Sequence, residues 1–318
     1  MPVVSNTFVQ LGKESTWGTE VNATDIIPVT SDPTFTTEYN AVRDSGRRGI
    51  AAMDYQLLQG GGRSTVSLEG PAYPSTIGHY LMAIMGTDTK TGASVPYVHT
   101  FTLAAATPSY TIEDVNPTQD RTYTGLKCSE VGFTFNAADG LLQATSSWTG
   151  KIPTTNTRTT SLTATTEKPW IGIDASVSLG GSVVARVTTF SLTLARSTDP
   201  IHATGSRDPI RIDEGPLEVT FSVALDAGAT PTDDLTKYLG SSGAFTEHPI
   251  VLTCSYGAST TLRSIAFTMT NANYGEGAAT RDMGSGLYQL TFSGRAMYNT
   301  TDSGPIKVVL NNAQSTAY

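Results

Sequence analysis

The feature that most restricts this chain is an order of events that occurs twice. Polar and apolar residues alternate around Phe35 and again around Phe190, as they do in a strand with one buried face. Val66-Ser67-Leu68 then matches Phe221-Ser222-Val223, and both matches stand at an offset of 155. Between them each half carries a long connection with Arg and Gly, from Arg43 to Gly62 and from Arg196 to Gly215. Tyr80-Leu81 is followed in the second half by Tyr238-Leu239, Val131–Phe135 by Ile265–Met269, and Trp148-Thr149-Gly150-Lys151 by Phe292-Ser293-Gly294-Arg295. Any one of these matches could arise by chance in a β-protein; their shared order carries the weight. It predicts a tandem duplication with a first domain over 1–153, a Thr-rich linker over 154–166 and a second domain over 167–318. The competing reading is one large, irregular β-domain.

A chain of 318 residues is long enough for two β-domains that each bury a core. Hydrophobic residues make up 38%, charged residues only 15%, and 30 glycines supply turns, so the fold class is mainly β. Thr34–Tyr39, Ser64–Glu69 and Val131–Phe135 read as half-buried strands. Arg43 to Gly62, with Arg47, Arg48, Tyr55 and the triplet Gly60-Gly61-Gly62, reads as a long mobile hairpin or loop; Arg207 and Arg211 stand in its counterpart. One helix is clear: it opens with Ser75 as N-cap, carries Ile77, Tyr80, Leu81, Ile84 and Met85 at helical spacing, and stops at Gly86. A shorter one in the second half opens at Asp233 or Asp234 and closes at Gly240.

A net charge of -8 argues against gripping nucleic acid by its phosphates, which needs clustered Lys and Arg. The start lacks a signal-peptide pattern, and the longest apolar run, Leu81–Met85, is too short to span a bilayer. The expectation is a soluble, cytosolically made protein with no membrane contact. Cys128 and Cys254 sit alone among strand residues, as buried thiols or, failing that, a disulfide, and without metal-ligand spacing.

Chemistry is sparse. His79, His99, His202 and His248 are scattered, with no Asp, Cys or second His at relay or ligand spacing. There is no GxSxG elbow and no phosphate loop, and Gly60-Gly61-Gly62 lacks the strand-to-helix setting of a dinucleotide site. The acid pairs Glu113-Asp114, Asp213-Glu214 and Asp233-Asp234 suit turns, caps or solvated faces, since neighbours on a strand point apart. Tyr39, Tyr55, Tyr73, Trp148, Trp170 and Tyr274 are not interleaved with a basic patch, so packing or subunit contact is expected of them. No catalytic residue, cofactor or metal is expected.

The opening Phe8–Thr19, with Gly12-Lys13-Glu14-Ser15-Thr16-Trp17-Gly18-Thr19 as its wordlike core, followed by Ile27–Ser31, resembles tail tube proteins of long-tailed, non-contractile phages. The sequel of hairpin, strand Thr65–Glu69 and helix Ser75–Met85 resembles them too. The resemblance implies two tandem tail-tube-type β-sandwich domains, each with one flanking helix and a long hairpin. It implies a virion structural protein, made in the host bacterial cytoplasm and placed in the tail. Its partners would be itself, the tape measure protein, and the tail terminator and distal tail or baseplate proteins, with DNA passing non-specifically through the lumen.

Family rings hold six tube domains, so two per chain implies three chains in a pseudo-sixfold ring, stacked head to tail. Six chains are expected instead if the second half is an external decoration. If the inner wall is acidic, passing DNA is repelled from it. Ring-to-ring or subunit contacts fall to Arg43, Arg47, Arg48, Tyr55, Gly60, Gly61, Gly62, Arg207 and Arg211 of the hairpins. The residues leave two other readings: a decoration or tail-fibre β-sandwich, and a carbohydrate-binding module or hydrolase.

Overall fold

Alternation becomes strands along most of the chain in the computed structural model, which describes residues 7–138, 140–155, 159, 162–226, 247–274, 280–282 and 289–318. The first half holds β1 (Phe8–Lys13), β2 (Asp25–Ile27), β3 (Thr34–Asp44), β4 (Gln56–Pro71), α1 (Ile77–Met85), β5 (Gly86–Thr91), β6 (Tyr97–Leu103), β7 (Tyr110–Val115), β8 (Arg121–Asn136), β9 (Gln143–Gly150) and β10 (Thr154–Thr155). The second holds β11 (Ala175–Leu179), β12 (Ser182–Val183), β13 (Val187–Ala195), β14 (Thr198–Ile201), β15 (Arg211–Glu214), β16 (Glu218–Asp226), β17 (Glu247–Tyr256), β18 (Arg263–Asn273), β19 (Thr280–Asp282), β20 (Gln289–Ala296) and β21 (Lys307–Asn312).

The pairings of the first half recur in the second. The pairs β1–β2, β1–β7 and β7–β8 are matched by β11–β12, β11–β17 and β17–β18. Likewise β3–β4, β4–β9, β8–β9 and β8–β10 are matched by β13–β16, β16–β20, β18–β20 and β18–β21. All are antiparallel.

The ladders correct the residue-level alignment. With Val66 held on Phe221, their cross-strand partners match Phe35 to Leu192 and Trp148 to Gly294, each two residues away from the sequence match. A two-residue slip returns every side chain to the same face, so alternation alone does not detect it. Ile265–Met269 pairs with β17 and β21, whereas Val131–Phe135 pairs with β9 and β13, so these two stretches are not counterparts. Tyr238-Leu239 and the helix expected from Asp233 or Asp234 to Gly240 lie outside the described residues.

Two antiparallel ladders join the halves, β21–β6 and β13–β8, the second running from Thr189↔Asn136 to Ala195↔Glu130. The result is a continuous sheet in the order β3-β4-β9-β8-β13-β16-β20. Behind it β8 continues, past a bulge between Cys128 and Glu130, into a second sheet with β7, β1 and β2. The run β12-β11-β17-β18-β21-β6-β5 closes the layer behind the second half with a hairpin from the first.

Helix α1 starts at Ile77, later than expected. Thr76 holds the N-cap position without a side-chain cap, and the Ser75 hydroxyl turns instead to Thr165 at 2.7 Å. The helix ends as expected on Gly86, whose φ of 88° is open to glycine. Its apolar face lies in the core beside Trp148, which meets Tyr80 and Tyr110 edge-on at 6.1 and 5.5 Å. Phe133 and Phe267 touch at 4.7 Å between centroids, so the buried cluster runs through both halves. Both cysteines are buried thiols: burial holds Cys128 well above the usual range and pushes Cys254 up to about 12.

Residues 154, 155 and 159 of the expected linker are strapped to the first half. Thr154 and Thr155 pair with Thr122 and Arg121, and Thr159 donates its backbone N–H to the Glu113 carboxylate at 2.8 Å. The opening motif also has a structural reason. Buried Glu14 accepts from Gly18 N at 2.7 Å, Gly125 N at 2.7 Å, Ser109 Oγ at 2.6 Å and Thr111 Oγ1 at 3.0 Å. Gly125 has a φ of 65°, and a side chain there would meet the Trp17 ring at 3.1 Å.

Candidate assembly surfaces

The first hairpin carries the β3–β4 ladder out beyond the sheet, into solvent. Its ladder reaches Asp44↔Gln56, so of the two forms expected for this segment, hairpin or loop, it takes the hairpin at its base, and the glycine triplet lies inside β4. Gly60 and Gly61 form a bulge opposite Asn40, and a Cβ on Gly60 would strike the Asn40 carbonyl at 2.9 Å.

At the tip, Arg43 faces Asp54 at 3.6 Å, while Arg48 pairs with Asp44 and stacks 4.7 Å over Tyr55. The Tyr55 hydroxyl accepts from Arg48 N at 3.3 Å, and exposed Arg47 lines the tip concavity with Ile50 and Met53. Val42, Leu57 and Leu58 are exposed as well. Together these side chains form a run of uncovered apolar surface at the tip.

The second hairpin is bent. Its strands leave the sheet at Arg196-Ser197 and Gly215-Pro216 and form a separate pair, β14–β15, which folds back over the first half. Gly62 N donates to Arg207 O at 2.9 Å, Ile152 N to Asp208 Oδ1 at 3.2 Å, and a Cβ on Gly61 would lie 2.8 Å from His202 Nδ1. Thr198 meets Thr149 at 3.3 Å.

The anchor at the bend is charged. Buried Glu214 accepts from Thr107 N at 3.1 Å and Lys127 Nζ at 3.4 Å, and Arg196 donates to Ala104 O at 2.9 Å. Burial lowers the Arg196 guanidinium, against the pull of Glu214. Arg211 stays in solvent, paired with Asp213 at 2.8 Å. Thus Gly61, Gly62 and Arg207 come together in one contact, while Arg43, Arg47, Arg48 and Tyr55 gather at a separate tip and Arg211 joins neither.

The continuous sheet buries one face and gives the other to hydroxyls. One row runs Gln143-Thr134-Ser191-Ser222-Ser293 across the strands, and the next runs Glu69-Thr145-Gly132-Thr193-Thr220-Arg295. A third runs Thr34-Ser67-Ser147-Glu130-Ala195. Apart from Gly132 and Thr34 at the edge, these side chains come from alternate positions whose neighbours, such as Phe133, Leu192 and Phe221, are buried. Serine and threonine at every second strand position were a legible signal of this face; the junction β8–β13 and the Glu214 anchor had none, because both join distant segments. At one edge of the sheet β3 pairs only with β4 among the described residues, which leaves an open row of backbone donors and acceptors.

Two histidines have carboxylate partners that their sequence spacing did not suggest. His79 Nε2 lies 2.9 Å from Asp25, and His99 Nδ1 lies 2.9 Å from Asp88 with its Nε2 on Gln314 O at 3.0 Å. Both rings pack against buried Tyr318, and His99 has both nitrogens occupied, so the pairs tie down the terminal segment. Among the described residues no three His, Cys, Asp or Glu gather as metal ligands, and no helix is long and apolar enough to cross a membrane.

The chain matches the family model described as phage tail tube protein over residues 4–296. No curated protein matches it. A mainly antiparallel fold with a long projecting hairpin and an open sheet edge fits that match, and the chain belongs to the phage tail tube protein family, structural components of the virion tail that self-associate into a tube.

Proposed function

We propose that this chain is a two-domain tube subunit of a non-contractile tail, three copies of which close a pseudo-sixfold ring. The observation that carries the reading is the β8–β13 ladder: it seals the edge of β13, while β3, which holds the matched place in the first half, has its outer edge open. Ring closure would pair every such edge with a neighbouring copy and convert an aggregation hazard into an interface. The hairpins would bind neighbouring subunits, and rings would stack head to tail, ending on terminator and distal tail proteins.

The hydroxyl face would line the lumen, around the tape measure protein and later around double-stranded DNA. Its serines and threonines bind water, and it offers no cluster of cations to hold phosphates, while Glu69 and Glu130 repel them. Electron microscopy of the purified protein is expected to reveal hollow tubes or rings with three chains counted end-on. Only monomers at high concentration would sink the reading; six chains per ring would assign the second half to the outside.

A further inference from the structure

The second hairpin shows where a hairpin goes when it has a neighbour, and among the described residues nothing fills the same landing place on the second half. On the first half that place comprises Gly61, Gly62, Thr149 and Ile152. The matched strand pairs Thr65↔Thr149 and Thr220↔Arg295 set the correspondence between halves. It carries Gly61 and Gly62 to Pro216 and Leu217, and Thr149 and Ile152 to Arg295 and Tyr298. Those four residues line one groove of about 820 Å³, which also contains Met297. Met297 and Tyr298 are 43% and 68% exposed, an apolar floor that none of the described residues covers.

The first hairpin has the complementary defect. It bulges at Asn40 opposite Gly60, the positions matched to Ser197 and Gly215, where the second hairpin breaks from its sheet. A glycine triplet at that point lets the strand bend without side-chain clashes. Asp208, which meets Ile152, corresponds to Met53, and Met53 is 84% exposed. The groove also continues an interface already formed, since one wall, Arg196 and Glu214 to Pro216, is the bend of the docked second hairpin.

We propose that this groove receives the first hairpin of the laterally adjacent copy, bent at Gly60-Gly61-Gly62, with Met53 against Tyr298. This rests on the ring-forming reading above and adds the seat of the hairpin. Methionine suits such a seat, because its flexible thioether packs well against an aromatic edge.

The test uses the full chain, whose native thiols are buried. Met53→Cys and Tyr298→Cys variants are mixed, assembled and treated with a short bismaleimide. The expected result is a covalent dimer of one copy of each variant, absent when Tyr298→Cys is replaced by Ile173→Cys, at an equally exposed position. Wild-type tubes give a second readout without substitution: Met53 and Met297, open to peroxide in the monomer, are expected to lose sulfoxide formation on assembly. Tubes in which both methionines stay oxidisable, or in which Met53→Cys links elsewhere, would overturn the seat and leave the tube reading intact. Absence of wild-type tubes would overturn both.

Discussion

The first and second hairpins leave the sheet at matched places and end in opposite states. The second breaks from the sheet, is anchored by Glu214 and Arg196 and folds over the first half; the first continues its ladder past a bulge, with Val42, Met53, Leu57 and Leu58 in solvent. The strands that carry them differ in the same way, β13 being paired on both sides and β3, among the described residues, on one. What separates the two states is the presence of a neighbour on the same chain. Ordering a long hairpin costs conformational entropy, which a contact surface must offset, and only the second hairpin has that surface within reach.

The sharpest way to break this comparison is to place one proline at matched positions of the two strands. Thr193 lies between Gly132 and Thr220, so Thr193→Pro removes a ladder bond in the middle of the sheet and orphans its acceptor, and should cost about 2–4 kcal/mol. Thr36→Pro sits on the open edge strand and should leave a folded monomer that no longer forms tubes. Thermal melts followed by circular dichroism, with electron microscopy of the same samples, check both. Equal destabilisation at the two positions would show that β3 is no true edge.

The contrast between the halves also marks where sequence reasoning reached. Period-two alternation was enough to find the strands and the order of matched elements, because burial of one sheet face imposes it locally. It left the alignment open by two residues at Phe35 and Trp148, since the faces are unchanged by that slip. The landing of Arg207 on Gly62 joins residues far apart in the chain, and no local pattern encodes it. Ser75 looked like the N-cap because its own chemistry suits one; Thr165, in the expected linker, takes its hydroxyl instead. Glu14 is one residue of the opening motif with nothing local to mark it, because its burial under four donors depends on β7 and the Gly125 turn.

That carboxylate gives the next largest effect and belongs to the first half alone. Glu14→Gln keeps the shape but turns an amide donor toward groups that already donate, and should cost about 1.5–3 kcal/mol in a urea unfolding series. A loss below half a kcal/mol would mean that Glu14 does not organise the Trp17–Gly125 contact. Smaller again is the coupling between halves. A double-mutant cycle on Phe133→Leu and Phe267→Leu should return about 0.5–1.5 kcal/mol, because the two rings are in contact across the junction. Zero coupling would separate the halves into independent cores.

The smallest effect concerns how α1 is held, and it appears only in acid. Burial alone would raise the Asp25 carboxyl, but the hydrogen bond and charge of His79, with a further bond from Thr24, outweigh it and hold the group below its usual range. A carboxyl depressed in the folded state contributes stability that is complete above its unfolded value, about 3.9, and is lost as pH falls through the folded value. Wild type should therefore lose stability relative to Asp25→Asn as urea midpoints are followed downward from about pH 5, and the two should run parallel above it. The partial exposure of Asp25 keeps the difference modest. A constant gap at every pH would mean that the His79 contact to β2 acts by shape and not by charge, leaving α1 held by packing against Trp148 of the first half and Tyr318 of the second.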